Sequence, residues 1–452
     1  MKHTLLSTHE FIQRRAAFIT QMPENSITLI SAAGEVTRSN DTEYVFCQNK
    51  SFYYLTGFNE PDAILVLVSG SSSASTEANL KQSILFCRDK NALEEVWQGR
   101  RVGATLAKVE YGFDQAWPLS ELDEKITELL NNKHQLWFCQ GQSEDFDRQV
   151  FSWLKQVKQK SRQGFKAPKT FFDCADIINE QRLFKSEAEL NIMRQANVLS
   201  GKAHQRAMKN TAVGKYEYQI ESDILHVFSQ HNARQAAYTT IVAGGDNANI
   251  LHYTANNDAL NNNELLLIDA GGELAGYAAD ITRTFPINGK FTPAQKTLYQ
   301  CVLDAQNLAI EAIKPGETLA QLNIMVSDFL TTQLHQLGIL AGDLNQLILD
   351  KACKKYFIHG LGHWLGLDVH DVGDYHTNEK REQRRLFEPG MVMTIEPGLY
   401  IPLDDYSVDE MWRGIGIRIE DNIVVTADGY ENLTVNSPKT IADIEALMAQ
   451  GS

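Results

Sequence analysis

Apolar residues in the first part of the chain follow two patterns, helical spacing and short continuous runs. Helical spacing, with apolar residues three and four positions apart, predicts helices at Phe11–Met22, Leu119–Leu130 and Glu144–Gln159. The continuous runs predict strands at Ser26–Ala32, Ala63–Val68, Gln82–Cys87 and Gln135–Cys139. Strands that alternate with helices are typical of an α/β sheet, and no phosphate-binding glycine loop follows any of these strands.

The rest of the chain mixes longer helices with strands. Ser186 and Glu189 form a capping-box pattern, which predicts the start of a helix that runs toward Met208. Further helices are predicted at Tyr216–Gln230, Pro293–Ile313 and Leu319–Gly338. Strands are predicted at Tyr238–Val242, Glu264–Asp269, Asp280–Pro286, Met391–Glu396 and Gly414–Val425. This second region is therefore predicted to be α+β.

Chain length and a linker-like stretch indicate two domains. The chain has 452 residues, which is too many for one ordinary hydrophobic core. Residues 160–170 are basic and contain glycine and proline, as is typical of a linker. We therefore expect an N-terminal domain over residues 1–176 and a second domain over residues 177–452.

Charge and cysteine usage narrow the possible partners and the compartment. The net charge of −15 argues against nucleic acid and anionic membranes as partners, because both need a basic surface. We see no apolar leader segment near the start and no apolar run long enough to cross a bilayer. The six cysteines are scattered without a Cys-x-x-Cys motif, which is typical of reduced thiols in a cytoplasmic protein.

Four acidic residues end or interrupt apolar strands of the second domain. Asp269 ends one predicted strand and Asp280 begins the next, and the glycines between them predict a hairpin with both carboxylates near its turn. Glu396 ends another strand, and alternation places Glu420 on the same strand face as Arg418. A carboxylate in an apolar strand is costly to bury unless it is paired or bound to a metal. One such residue fits an ordinary strand end, but four in one domain favour a common site.

A glycine-rich stretch supplies histidines to the same domain. Between His359 and Gly373 the chain holds His359, His363 and His370 among four glycines. Histidine is the commonest side-chain metal ligand, and glycine lets the backbone approach an ion closely. The stretch has no His-Glu-x-x-His motif, so we expect a bent loop rather than a zinc-protease helix. A buried glycine-rich turn with incidental histidines explains this stretch about equally well, and the four carboxylates elsewhere shift the balance toward a functional site.

Oxygen-rich ligation with one nitrogen suits two divalent cations bridged by carboxylates. Mn²⁺ fits this ligand set best, with Co²⁺ and Zn²⁺ as alternatives. Two such ions deprotonate water at neutral pH and polarise a carbonyl group, so the pattern indicates a hydrolase.

These motifs resemble those of the pita-bread metallopeptidases, which include methionine aminopeptidase, prolidase and aminopeptidase P. The likeness lies in His-Gly-x-x-His, Thr-x-Glu-Pro-Gly and Ile-Arg-Ile-Glu-Asp, and it implies five metal ligands: Asp269, Asp280, His363, Glu396 and Glu420. It implies that Asp269 is bidentate to one ion, that Asp280 and Glu420 bridge both, and that His363 and Glu396 complete the other shell. The implied fold is an α/β N-terminal domain followed by an α+β pita-bread catalytic domain.

Longer motifs are similar to those of bacterial aminopeptidase P in particular. They are His-Trp-Leu-Gly-Leu-Asp-Val-His-Asp-Val-Gly, Arg-Gly-Ile-Gly-Ile-Arg-Ile-Glu-Asp and the N-terminal Phe-Tyr-Tyr-Leu-Thr-Gly-Phe-Asn-Glu-Pro. The resemblance implies that His252 and His370 face the substrate and that His359 lies at the pocket edge. Arg418 would orient a carboxylate or a hydrogen-bond network, although His359 and Arg418 fit a purely architectural role as well. Trp97 would reach the active site of a neighbouring subunit in a homodimer or homotetramer.

The implied activity is that of an Xaa-Pro aminopeptidase, which releases the N-terminal residue from peptides with proline at the second position. We expect a water held by two metals to attack the carbonyl before proline. Glu396 would relay the proton to the proline nitrogen, while His252 and His370 stabilise the tetrahedral intermediate. The Xaa-Pro bond has no N–H, so proteases that need this donor fail on it.

Two alternative functions stay open at this point. Gly362 and Cys47 stand where bacterial aminopeptidase P often has serine and arginine, and glycine at the first position is more typical of prolidase, which cuts Xaa-Pro dipeptides. The other alternative is a catalytically inactive peptide-binding scaffold of the same fold, against which the intact ligand set argues.

Overall fold

The computed structural model describes residues 5–70, 81–378 and 380–451. It divides the chain into two compact units, Met1–Arg182 and Leu183–Ser452. The boundary expected between residues 176 and 177 lies inside the helix Ala175–Leu183, a few residues before this division.

The N-terminal unit alternates strands with helices around one sheet. Its elements are α1 Thr8–Gln21, β1 Ser26–Ser31, β2 Thr37–Ser39, β3 Thr42–Glu43, α2 Lys50–Thr56, β4 Ile64–Ser69, β5 Lys81–Cys87, α3 Ala92–Gln98, α4 Gly103–Tyr111, β6 Gln115–Pro118, α5 Leu122–Leu130, β7 Gln135–Phe138, α6 Glu144–Gln159, β8 Thr170–Asp173 and α7 Ala175–Leu183. The predicted strands and helices of this region are confirmed to within a few residues at each end.

Six strands form the sheet of this unit in the order β6-β5-β4-β1-β7-β8. Strand β1 pairs antiparallel with β4 and parallel with β7, and β7 pairs parallel with β8. Helices α5 and α6 bury Ile126 and Trp153 against Leu136 and Val66 of the sheet. All six residues of β4 are buried, which explains its continuous apolar run. The predicted α/β class is confirmed.

The C-terminal unit begins with two long helices and continues with short strands. Its elements are α8 Glu187–Asn210, α9 Glu217–Gln230, β9 Ile241–Gly244, β10 Leu265–Asp269, β11 Glu273–Leu274, β12 Tyr277–Ala278, β13 Thr282–Pro286, α10 Pro293–Glu311, α11 Leu319–Gln336, α12 Leu344–Leu349, β14 Val392–Ile395, β15 Gly398–Ile401, β16 Ile415–Arg418, β17 Asp421–Val425, β18 Tyr430–Asn432 and α13 Ile441–Met448. The capping box at Ser186 is present, with both reciprocal hydrogen bonds to Glu189. The predicted α+β class is confirmed.

Two strand predictions in this unit need correction. The strand predicted at Tyr238–Val242 begins at Ile241, so Tyr238 precedes it. The single strand predicted at Gly414–Val425 is two strands, and β16 and β17 belong to different sheets. The segment that pairs with β16 and β17 is also divided into two strands, β14 and β15. Pro397 lies between them and has no N–H to donate to a strand ladder.

Several short ladders carry the residues that the sequence singled out. β10 pairs antiparallel with β13, with Asp269 opposite Thr282, so the predicted hairpin is confirmed. β14 pairs with β17 from Val392↔Val424 to Ile395↔Asp421, and β15 pairs with β16 from Gly398↔Arg418 onward.

Among the residues that the structure describes, none of the helices is both long enough and apolar enough to cross a membrane.

Candidate metal centre

Asp269 and Asp280 meet at the turn-proximal end of the β10–β13 hairpin. The hydroxyl oxygen of Tyr238 lies 2.5 Å from Asp269 Oδ1 and 2.6 Å from Asp280 Oδ1. The two carboxylates share its single hydrogen as a hydrogen-bond donor. Burial and the two carboxylates raise the pKa of Tyr238 well above its usual value, so the phenol stays neutral. Tyr238 fixes the separation of the two carboxylates. Its role could not be predicted from the sequence, because Tyr238 lies outside every metal motif.

His363 enters the same space from the loop between residues 359 and 373. Its Nε2 lies 3.4 Å from Asp280 Oδ2 and 3.5 Å from Glu396 Oε1. Its Nδ1 lies 2.9 Å from the carbonyl oxygen of Trp364, which accepts a hydrogen bond from this nitrogen and leaves Nε2 to face the carboxylates. Burial lowers the pKa of His363, but the hydrogen bond and charge of Asp280 outweigh it and raise the pKa to about 9.

Gly362 lets this loop approach strand β14. A Cβ atom at position 362 would lie 2.0 Å from the carbonyl oxygen of Thr394. Thr394 also bonds the loop twice, since its Oγ1 accepts from His363 N at 3.0 Å and its N–H donates to His363 O at 2.9 Å. In this backbone the position requires glycine for packing, so Gly362 is explained without reference to a preference for dipeptides.

Glu396 and Glu420 lie where the two strand pairs are interrupted together. Glu396 follows β14 and Glu420 precedes β17, so both fall between the ladder pairs Ile395↔Asp421 and Gly398↔Arg418. The backbone N–H of Glu420 donates to Thr282 O at 3.1 Å, and the hydroxyl of Thr282 donates to Glu420 Oε2 at 2.7 Å. The interruption therefore turns both carboxylates toward the end of the hairpin.

The carboxylates destabilise one another's charged form. Burial, then the neighbouring carboxylates, raise the pKa of Asp280 and Glu420. Burial raises the pKa of Glu396 to about 7, although His363 and Arg418 oppose this shift. Ligand atoms of Asp280, His363 and Glu420 lie within 4.8 Å of one another. This donor set of buried oxygens with one imidazole nitrogen fits divalent cations, which would neutralise the excess negative charge.

A cavity of about 290 Å³ opens beside these groups. Its lining residues are Leu251, His252, Asp269, Asp280, His359, Gly360, Gly362, His363, His370, Glu396, Arg418 and Glu420. The structure thus brings together every predicted site residue of the C-terminal unit. Trp97 lies on α3 of the N-terminal unit and is 88% exposed.

A chain of hydrogen bonds links Arg418 to His359. Arg418 Nη2 donates to Asp269 Oδ2 at 2.7 Å, and Arg418 Nη1 donates to the hydroxyl of Tyr400 at 2.9 Å. The Tyr400 hydroxyl lies 2.7 Å from His359 Nε2. Burial, with the charge of Arg418 added to it, lowers the pKa of His359 to about 4, so this imidazole is neutral and accepts from Tyr400. Tyr400 was missed by the sequence analysis, although it stands in the Glu-Pro-Gly-Leu-Tyr motif.

His370 packs directly on His363 at the cavity wall, with ring centroids 4.1 Å apart. Burial, then the charges of His363 and His252, lower the pKa of His370. The next residue, Asp371, forms a buried ion pair with Lys185 at 3.0 Å, and both side chains are 1% exposed. Asp371 N also donates to Trp364 O at 2.9 Å, which closes the loop between the two histidines.

Comparison with known proteins covers both units. Residues 191–427 match the model of metallopeptidase family M24, and residues 11–137 match that of the aminopeptidase P N-terminal domain. The chain is 45% identical to the Xaa-Pro aminopeptidase of Escherichia coli K12 over 98% of both sequences. A structure of proline aminopeptidase P II from Yersinia pestis matches with a TM-score of 0.94 at 46% identity, over 98% of this chain and 100% of that one. Aminopeptidase P from E. coli with the inhibitor Pro-Leu matches with a TM-score of 0.94 at 44% identity, over 99% of each chain.

Proposed function

This chain belongs to metallopeptidase family M24, within its aminopeptidase P group, and from that membership we propose its substrate, its metal content and the roles of its residues. It is a metal-dependent aminopeptidase that releases the N-terminal residue from peptides with proline at the second position. The predicted pita-bread catalytic domain behind an α/β N-terminal domain is confirmed. The prolidase and scaffold alternatives are not favoured, since relatives at high identity over the full chain are Xaa-Pro aminopeptidases.

The observation that carries the proposal is the convergence of the five predicted ligands on one buried cavity. Four carboxylates and one imidazole offer more ligand atoms than one octahedral ion accepts, so we assign two ions to the site. The excess of oxygen over nitrogen supports Mn²⁺, with Co²⁺ and Zn²⁺ as alternatives.

The two oxygens of Asp280 support a bridging role. Its Oδ1 faces Tyr238 and Asp269, whereas its Oδ2 faces His363. Asp269 would then serve one ion, and His363 with Glu396 the other. Glu420 would be the second bridging residue, because Thr282 holds it at the end of the hairpin that carries both aspartates.

When bound, the ions lower the pKa of water and polarise the scissile carbonyl. Glu396 borders the cavity, and its carboxylate takes the proton of the attacking water and passes it to the proline nitrogen as the C–N bond breaks. His370 and His252 lie on the cavity wall and donate hydrogen bonds that stabilise the oxyanion as it develops on the carbonyl oxygen. Arg418, through Tyr400 and Asp269, holds one side of the pocket in place for the substrate, with His359 at its edge.

An oligomer accounts for the surface of α3. Among the residues of this helix none is buried, and Leu93, Val96 and Trp97 are 79%, 79% and 88% exposed. Exposed apolar side chains grouped in this way are typical of an interaction site. This supports a homodimer or homotetramer in which Trp97 contacts the active site of another subunit.

A cytoplasmic location remains part of the proposal and rests on the reduced, scattered cysteines.

The decisive assay compares three peptides after the metal has been removed by chelation and Mn²⁺ restored. We expect rapid release of the first residue from an Xaa-Pro-Yaa tripeptide and much slower release from the Xaa-Ala-Yaa control. Cleavage of the Xaa-Pro dipeptide in preference to the tripeptide would indicate a prolidase. A protein that neither binds Mn²⁺ nor cleaves any of the three would be a scaffold.

A further inference from the structure

Two cysteines of the N-terminal unit lie side by side at the carboxyl ends of neighbouring strands. Strands β7 and β8 are parallel, with Phe138 opposite Asp173 as their last pair. The residue that follows each strand is a cysteine, and the N–H of Cys174 donates to Phe138 O at 3.4 Å. Register therefore brings Cys139 and Cys174 together, and their Sγ atoms are 3.2 Å apart.

The backbone spacing suits a covalent bond between the two sulfurs. Neighbouring strands lie about 4.8 Å apart. Disulfide-bonded residues have Cα atoms about 4.4–6.8 Å apart, so the bond requires side-chain rotation rather than movement of the strands.

Only one of the two thiols is reachable. A cavity of about 300 Å³ in this unit is lined by Cys139 together with Cys47, Gln48, Gln142 and Ser143. Cys174 is 0% exposed, whereas Cys139 is 9% exposed. The hydrogen bond to Cys139, then burial, raise the pKa of Cys174 well above its usual value. A reagent in the cavity therefore meets Cys139 first, and Cys174 lies directly behind it.

We propose that Cys139 and Cys174 form a reversible dithiol–disulfide site that reacts with small-molecule disulfides entering the cavity beside Cys139. In the first step the Cys139 thiolate attacks one sulfur of the reagent, and a mixed disulfide forms as one small thiol leaves. In the second step the Cys174 sulfur attacks Cys139 Sγ, loses its proton and releases the second small thiol. Two protein thiols and one small disulfide thus become one protein disulfide and two small thiols.

The product would fasten the edge of the sheet. β8 is the last strand in the order of the six-stranded sheet, and α7 begins at Ala175, directly after Cys174. A bond between Cys139 and Cys174 would tie this edge strand and the start of α7 to the more central β7.

A metal site at the same residues is the competing interpretation. Asp173 lies beside the two sulfurs, and ligand atoms of all three residues are within 4.8 Å of one another. Two thiolates on tetrahedral zinc, with Zn–S of about 2.3 Å, would be about 3.8 Å apart. The observed 3.2 Å is shorter, and Asp173 Oδ1 already accepts from Ala175 N at 2.8 Å. Both observations favour the disulfide.

The test exposes the reduced, metal-loaded enzyme to oxidised glutathione and follows its intact mass and its non-reduced peptide map. We expect the chain to lose the mass of two hydrogen atoms and to yield one linked peptide pair containing Cys139 and Cys174. Dithiothreitol should restore both thiols.

Matched variants separate the two steps. Cys174→Ser should stop at a stable glutathione adduct on Cys139, Cys139→Ser should leave Cys174 unmodified, and Cys47→Ser should not change the linkage. A lasting adduct on Cys139 with Cys174 still free in the unaltered chain would overturn the proposal. So would a pair that stays reduced while Cys47 reacts, or one that stoichiometric Zn²⁺ protects completely.

Discussion

Glu420 and Asp421 are neighbours in the sequence and equally buried, yet their surroundings differ. Burial, then Asp280 and Glu396, raise the pKa of Glu420 well above its usual value. Burial alone would raise the pKa of Asp421 as well, but the charges of Arg283 and Lys439 hold it well below its usual range. A buried carboxylate with cationic partners keeps its charge, whereas one surrounded by other carboxylates is stabilised by taking up a proton or by binding a cation.

Both carboxylate oxygens of Asp421 are satisfied by side chains of the protein itself. Its Oδ1 accepts from Arg283 Nη2 and Thr434 Oγ1, each at 2.7 Å, and its Oδ2 accepts from Lys439 Nζ at 2.7 Å. We call Asp421, Arg283, Lys439 and Thr434 the paired cluster. The five predicted metal ligands hold four carboxylates against one imidazole, and Arg418 is their main cationic neighbour.

The paired cluster also fixes the backbone of the candidate metal centre. Lys439 Nζ donates to Gln306 Oε1 at 2.8 Å. Gln306 Nε2 in turn donates to Ile395 O and Ile419 O, each at 3.1 Å. These carbonyls immediately precede Glu396 and Glu420. One buried amide therefore fixes the backbone before two of the predicted ligands.

The largest effect is expected from a substitution that removes a catalytic group and leaves the paired cluster intact. Glu396→Ala should lower kcat by about 10³–10⁴-fold, because it removes the group that accepts and returns the proton. Steady-state kinetics on an Xaa-Pro-Yaa tripeptide measure the loss. Urea unfolding should show a retained fold. A variant with full activity would remove Glu396 from the mechanism.

The next largest effect distinguishes the two neighbouring residues directly. Asp421→Asn leaves Arg283 and Lys439 without a buried counter-charge and should cost about 3–5 kcal/mol of unfolding free energy. Its matched control, Glu420→Gln, should leave the metal-free protein at least as stable and instead weaken Mn²⁺ binding. Denaturant titration of both variants, with and without Mn²⁺, gives the answer. Equal destabilisation by the two substitutions would show that the distinction between the clusters is wrong.

A smaller effect is expected at the cavity wall. His370→Ala should lower kcat by on the order of 10²-fold if the imidazole stabilises the oxyanion. KM for the tripeptide and the amount of bound Mn²⁺ should change little. An unchanged kcat would assign His370 to the packing of the loop against His363.

The smallest effect is a pH dependence of the chelated protein. The pKa of Glu396 rises from 4.5 to about 7 on folding and that of His363 from 6.5 to about 9, so the folded state binds more protons than the unfolded state. Stability without metal should therefore fall as the pH rises from about 5 to about 9. Urea midpoints across this range test the sign, and Glu396→Gln should flatten the acid half. A midpoint that rises with pH would contradict the assignment.

The sequence predicted which side chains converge on the cavity better than it predicted the strands around them. Asp269, Asp280, His363, Glu396 and Glu420 stand in short motifs with fixed chemistry, so each could be named before any geometry was known. The interruption that separates β16 from β17 could not, because the apolar alternation continues through Ile419. Pro397, between β14 and β15 in the segment that pairs with β16 and β17, is the local sequence feature that marks this interruption.

The remaining features could not be predicted from the sequence, because they depend on contacts between residues that are distant in the chain. Tyr238 and Tyr400 acquire their roles only through partners far along the chain, Asp280 and Arg418. Asp421 could not be told from Glu420, because Arg283 and Lys439 reach it from other elements. Cys139 and Cys174 are 35 positions apart and meet only through the register of β7 and β8.

The central claim is that five side chains from distant parts of the chain hold a pair of divalent cations. Diffraction from Mn²⁺-loaded crystals, recorded near the manganese absorption edge, locates such ions directly. We expect two anomalous peaks, with Asp280 and Glu420 between them, Asp269 beside one peak and His363 with Glu396 beside the other. No peak among these five residues, or only one at full Mn²⁺ saturation, would contradict it.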